Sequence, residues 1–260
     1  MGKYFTVEVK PTMPASVQNA EAYADTEILF DWTSFEVPKG ASRLVGITAL
    51  VRGIDGADQA KAVDMELFYA KTRDNGATAP PTLGTTGAAV SSSGWQNHML
   101  GRTRIDASGH SEQGDLVYMN VMSAGHGNAL TAATQAGLVL QGEPDSGSNV
   151  GYDTLYVAGI SKGALDFSTT VLARGGEAAG VRVVETDKGS NDDPDAELIF
   201  APGDVLHSAT NDVLGTVKSI AAFGSSKQDI TFTAPTTDII ADNEEIYNIN
   251  PITLILQFEK

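Results

Sequence analysis

Cysteine is absent from the 260 residues, so the chain forms no disulfide and offers no thiolate to a metal. A chain of this length can bury a full core without such staples, so the missing cysteines leave the compartment open. Basic residues are scarce: 17 Lys and Arg face 33 Asp and Glu, a formal net charge of −16. Such a surface repels phosphate backbones, and nucleic acid is not expected as a partner. The acidic excess favours solubility and suits a basic partner surface. Long apolar runs are also lacking. No segment approaches the ~18 residues that span a bilayer, and no signal-peptide core precedes the first strand, so a soluble chain with no membrane partner is expected. The start Met1-Gly2-Lys3-Tyr4-Phe5-Thr6 has the form of a myristoylation signal, but it runs directly into alternating Phe5, Val7 and Val9, the pattern of a strand.

Short strands and turn residues fill most of the rest. Tyr4 to Lys10 reads as a strand ended by Pro11 and Pro14. Ala15 to Ala24 is small and polar, a loop or a short helix. In Ile28, Phe30 and Trp32 the apolar phase slips at Thr33-Ser34 and resumes at Phe35 and Val37, which predicts a β-bulge or corner. Arg43 to Val51 is apolar on both faces, as a central strand of a packed sheet is. Val63 to Ala70 alternates, with Asp64 and Glu66 on a wet face. Thr72 to Gln96 is a long connection rich in Gly, Ala, Pro, Ser and Thr, of the kind that is functional or lies between subunits. In it Trp95 either reaches for a partner or folds back onto its own core. Leu116 to Met122 is another strand, and Leu130 to Ala136 is the one plausible helix. Tyr152 to Ile160 and Ala164 to Leu172 are expected to form a hairpin around Ser161-Lys162-Gly163, with a linker at Arg174 to Gly180.

Gly159-Ile160-Ser161-Lys162-Gly163 matches the nucleophile-elbow pattern after a strand, but that motif needs a helix next, and the following segment favours strand, so a turn is expected. The histidines His98, His110, His126 and His207 are scattered, with no pair at zinc-site spacing, and three of them sit beside Gly, Ser or Asn, as loop surface histidines do. Asp187 to Asp195 carries several oxygen ligands but lacks the order of an EF-hand loop and includes Lys188; it reads as a solvated acidic loop, with calcium left open. Glu244-Glu245 is no paired-carboxylate site, because adjacent strand residues point to opposite faces. No catalytic, cofactor-binding or metal residue is assigned, no cofactor is expected, and the chain is not expected to be an enzyme.

From Pro202 onward the pattern is densest. Gly203-Asp204-Val205-Leu206, Leu214-Gly215-Thr216-Val217-Lys218-Ser219, Asp229 to Thr233 and Asn243-Glu244-Glu245-Ile246-Tyr247-Asn248 are short strands at roughly ten-residue spacing with turn residues between them, a small meandering barrel. After Asn250-Pro251, Ile252, Leu254, Leu256 and Phe258 share one face of a last strand. The order of segments from Gly203 to Asn248 resembles a module that recurs in head and tail structural proteins of tailed bacteriophages, marine ones especially. The resemblance covers under a quarter of the chain and carries no catalytic residue. It implies a virion location and a structural role, most of all a capsid decoration or cement protein that binds the head surface as a homo-oligomer, with the major capsid protein or other virion proteins as partners. A tail component or extracellular fibre subunit is the alternative, and a carbohydrate-binding or adhesive β-sandwich a further one. The expected fold class is all-β: a jelly-roll-like β-sandwich over 1–175, a small barrel-like module over 181–250, and a terminal strand over 251–260 returning to the main sheet beside the N-terminal strand.

Overall fold

Period-two apolar patterns bounded by Gly, Pro and Asp turns leave this chain little choice but strands. The computed structural model describes residues 2–18, 23–51, 64–74, 76–105, 110–112, 118–123, 138–143, 151–163, 165, 167, 171–187, 196–210, 212–221 and 227–260. Their strands in order are β1 (Tyr4–Val9), β2 (Ile28–Pro38), β3 (Ser42–Val51), β4 (Met65–Lys71), β5 (Met99–Ile105), β6 (His110–Glu112), β7 (Tyr118–Ser123), β8 (Leu138–Leu140), β9 (Tyr152–Ser161), β10 (Val183–Asp187), β11 (Val205–Ser208), β12 (Val213–Ile220), β13 (Lys227–Phe232), β14 (Ile246–Asn248) and β15 (Ile252–Glu259). Single helical turns α1 (Ala15–Gln18) and α2 (Ala196–Ile199) and a 3-10 helix at Gly94–His98 complete the description. The fold is all-β, built from three antiparallel sheets.

The first sheet runs β1-β15-β3-β7-β6, with β8 also paired to β3, and the second runs β2-β9-β4-β5. They form a sandwich. β15 sits between β1 and β3, and Ile252, Leu254, Leu256 and Phe258 are wholly buried. Across the core they meet Phe35 and Val37 of β2, Leu67 and Tyr69 of β4, and Leu155 and Val157 of β9 in one cluster; the rings of Phe35 and Phe258 lie 6.4 Å apart. The register between β15 and β3 steps from Gln257↔Gly46 to Phe258↔Leu44, so Val45 is the extra residue of a bulge. Leu44 and Ile47 therefore both enter the core, which is why this strand looks apolar on both faces in the sequence. β2 is irregular between Ile28 and Thr33, where the apolar phase slips. Facing it, Gly159 lets the Phe30 ring lie on the backbone: a Cβ there would stand 2.3 Å from the ring.

The third sheet runs β10-β13-β12-β11-β14 over a separate apolar cluster that includes Val184, Leu206, Leu214, Val217, Ile230, Phe232 and Ile246. The expected barrel is not closed. Its two edge strands are instead bridged by 171–174: Ala173 N–H donates to Glu244 O and Ile246 N–H to Val171 O on one side, while Arg174 N–H donates to Glu185 O and Asp187 N–H to Leu172 O on the other. Val171 and Ala173 belong to this second cluster. The stretch 174–180 is not a free linker, because Glu177 is bridged to Ile240 and Gly180 N–H donates to Thr236 O.

Where the two clusters adjoin, the chain is stitched by an amide. Gln18, 1% exposed, donates from Nε2 to Met13 O at 2.8 Å and to Asn248 O at 2.9 Å. Met13 N–H donates to Ile249 O, and Asn250 Nδ2 to Pro11 O.

Two further expectations are corrected. The face of β4 predicted to be wet is covered, because Glu66 is buried against Arg102 and Phe68 lies under Trp95. Among the described residues the segment after β9 does not pair back on it: Leu165 is bridged to Tyr23, since both edges of β9 are already held by β2 and β4, while residues 164, 166 and 168–170 of the predicted hairpin lie outside the described residues. The predicted helix at 130–136, residues 116 and 117 of the predicted strand, and residues 188–195 of the acidic loop lie outside the described residues.

Candidate functional site

Each chemical candidate of the sequence among the described residues is placed by the backbone in a structural role or apart from the others. Ser161 is fully buried and its hydroxyl donates to Gly163 O, closing the turn. His98 is not a surface residue: it is buried at the end of the 3-10 helix, with Nδ1 2.9 Å from Lys71 O. His207 lies on β11 and His110 on β6, in different sheets, while His126 is outside the described residues. Glu244 accepts from Ala241 N–H at 2.8 Å, and Glu245 accepts from the Tyr247 hydroxyl at 3.0 Å. Among the described residues no group of three metal-ligating side chains is assembled.

Where the surroundings shift a titration, they move it away from neutrality. Burial raises the Tyr69 phenol, and burial with the nearby Glu27 carboxylate raises Tyr23. The hydrogen bond from Lys162 lowers Asp25, and the one to Glu185 raises Lys227.

The long connection 72–98 is an anchored cover for the second sheet. Leu83, Val90 and Trp95 pack over Ile28, Phe68, Ala158 and Ile160, with Trp95 stacked on Phe68 at 5.5 Å and 6.5 Å from Trp32. Both indoles are tied down, Trp32 Nε1 donating to Pro81 O at 2.8 Å and Trp95 Nε1 to Ser92 O at 2.7 Å. Trp95 folds back onto its own chain.

What the fold does assemble is a corner at the far end of β1 and β15. Antiparallel pairing puts Tyr4 beside Glu259, and Glu259 beside Arg43 of β3; the Tyr4 hydroxyl donates to Glu259 at 3.1 Å, a bond that holds the phenol above its ordinary range. Arg43 is paired in register with Val139 of β8, and an open groove is lined by Ala41, Ser42, Arg43, Val139, Glu259 and Lys260. Lys3 and Lys260 exchange backbone hydrogen bonds, and Lys260 Nζ donates to Lys39 O. Beyond Lys39, Tyr152 is paired with Pro38. The corner therefore gathers Lys3, Lys39, Arg43 and Lys260 around Tyr4, Val139 and Tyr152, which are 73%, 53% and 49% exposed. Exposed aromatic and aliphatic side chains within a charged rim have the anatomy of a protein-docking surface. Sequence reading missed it because its members come from β1, β3, β8, β9 and β15, and only the pairing of those strands brings them together.

No family model matches this chain, and no curated protein matches it. Among solved structures, the STIV major capsid protein is similar over 99% of this chain and 97% of its own, at 10% identity and a TM-score of 0.13; at that score the likeness carries no argument. Among the described residues no helix is long and apolar enough to cross a membrane.

Proposed function

We propose that this chain is a structural protein of a tailed-phage virion, most specifically a capsid decoration protein, and that it works by docking and not by catalysis. The observation that carries the reading is the corner just described: on a chain of net charge −16, four basic side chains and three exposed apolar ones are collected around the carboxylate of Glu259, which lies 3.9 Å from Arg43, an arrangement that suits a protein contact. The order of segments from Gly203 to Asn248, similar to a module of phage head and tail proteins, supports the virion as the setting. An acidic surface remains a poor match for nucleic acid. A sugar-binding role has less support, because the indole N–H groups of Trp32 and Trp95 are already bonded within the chain. The test is the protein content of purified particles. The expected result is this chain in many copies in the head fraction; its presence only in tails or fibres would move it to another virion part, and its absence from particles would overturn the reading.

A further inference from the structure

Among the described residues six large apolar side chains are exposed: Tyr4, Val139, Tyr152, Val183, Val213 and Ile239. Three of them make the basic corner. Two others, Val213 and Ile239, lie on segments joined at a tip of the third sheet, where the Thr237 hydroxyl reaches Val213 O at 3.1 Å and Asp238 Oδ2 at 2.9 Å. The segments 212–213 and 236–245 that form this tip hold Asp212, Asp238, Asp242, Glu244 and Glu245 and no Lys or Arg. The asymmetry extends beyond the tip. Residues 171–250 hold 14 of the 33 carboxylates and 5 of the 17 Lys and Arg, a net of −9 within the chain's −16.

The corner cannot reach the tip of its own chain. Ile249 and Asn250 join the third sheet to the Ile252 end of β15, whereas the corner stands at its Glu259 end. Eight residues of strand at about 3.3 Å each separate the two by about 25 Å. The tip is not at the junction itself: Ile249 N–H donates to Val205 O, so β11 leaves the junction at Val205, and the turn to Val213 follows its opposite end at Ser208. We propose that the basic corner of one copy docks on the acidic tip of a second copy, joining copies head to tail. The two surfaces match in both respects that matter at an interface, with apolar side chains at the centre of each and opposite charge around them. Because the contact uses two different surfaces, each joined copy still presents one of each, and the assembly grows until it closes into a ring or continues as a filament. This deepens the structural role proposed above and rests on it only in taking the chain to be an assembly unit.

The test uses two variants of the full chain and light scattering after size exclusion. The corner variant carries Lys3→Glu and Arg43→Glu, and the tip variant carries Asp238→Lys and Ile239→Lys; Lys3, Arg43 and Ile239 are exposed and Asp238 is half-buried in a loop, so the circular dichroism and melting of both variants should stay unchanged. At low salt the wild type should form species larger than 27.2 kDa that grow with concentration, and each variant alone should be monomeric. An equimolar mixture of the two retains one intact contact and should stop at a dimer, twice the monomer mass. At ~1 M salt, where screening acts within about 3 Å, the wild-type species should shrink. A monomeric wild type, a mixture that stays monomeric, or an oligomer indifferent to both variants would overturn the proposal. A monomeric wild type that still binds heads would overturn it and leave the virion role standing.

Discussion

At Gly159 an added methyl would stand 2.3 Å from the Phe30 ring, which is wholly buried in the core. Overpacking a close-packed interior costs about 1–3 kcal/mol, so Gly159→Ala should lower the urea midpoint by that equivalent, and Phe30→Leu in the same chain should recover part of it. An unchanged midpoint would mean that the ring moves freely. The serine two residues on is a contrasting case. Because its hydroxyl only closes a turn onto Gly163 O, Ser161→Ala should cost about 1 kcal/mol and leave assembly intact; ester hydrolysis by the wild type that the variant loses would contradict this. Gln18 is the polar residue on which the junction depends. Its replacement by Ala leaves the carbonyls of Met13 and Asn248 without their donor, a loss of about 1–3 kcal/mol for each buried group left unpaired. The sequence shows a glycine and serine pattern and a polar stretch at these places, but not their reasons, since Phe30 and Asn248 lie far along the chain from them.

Among the elements, β15 was the most legible. Its period-two run states which face is buried, and the structure places that face between β1 and β3 against the second sheet. Burying each of Ile252, Leu254, Leu256 and Phe258 contributes about 1.5–3 kcal/mol, and together they rival a domain's net stability of roughly 5–15 kcal/mol. Truncation after Asn250 should therefore give insoluble protein or a sandwich without a cooperative melting transition. A soluble product with an unchanged transition would show that β1 and β3 manage without the strand between them. The outer face of β4 was misread because alternation tells only that two faces differ, and the cover over Phe68 comes from a loop with no pattern of its own. Likewise, a turn after β9 looks like a hairpin until the occupancy of both edges of β9 is known. Trp95 holds that covering loop, so Trp95→Ala should speed proteolytic cleavage within 79–96 severalfold while the sandwich still melts cooperatively. Equal cleavage rates would assign the anchoring to Leu83 and Val90 instead.

The whole molecule is an all-β chain with four of its 17 Lys and Arg gathered at one corner and most of its excess negative charge in 171–250. Composition alone discloses the net charge and nothing about this arrangement, because Lys3, Lys39, Arg43 and Lys260 become neighbours only through strand pairing. If contacts with a capsid rely on charge, they are screened beyond about 8 Å at physiological ionic strength and should weaken steadily as salt is added. Capsid contacts that depend on buried apolar area should persist. Co-sedimentation of the purified chain with isolated phage heads tests the proposed head-binding role. A structural head protein should bind saturably, at a fixed number of copies per capsid protein, and more tightly at low salt than at high salt. Heads that pellet without it at every salt concentration would contradict the account.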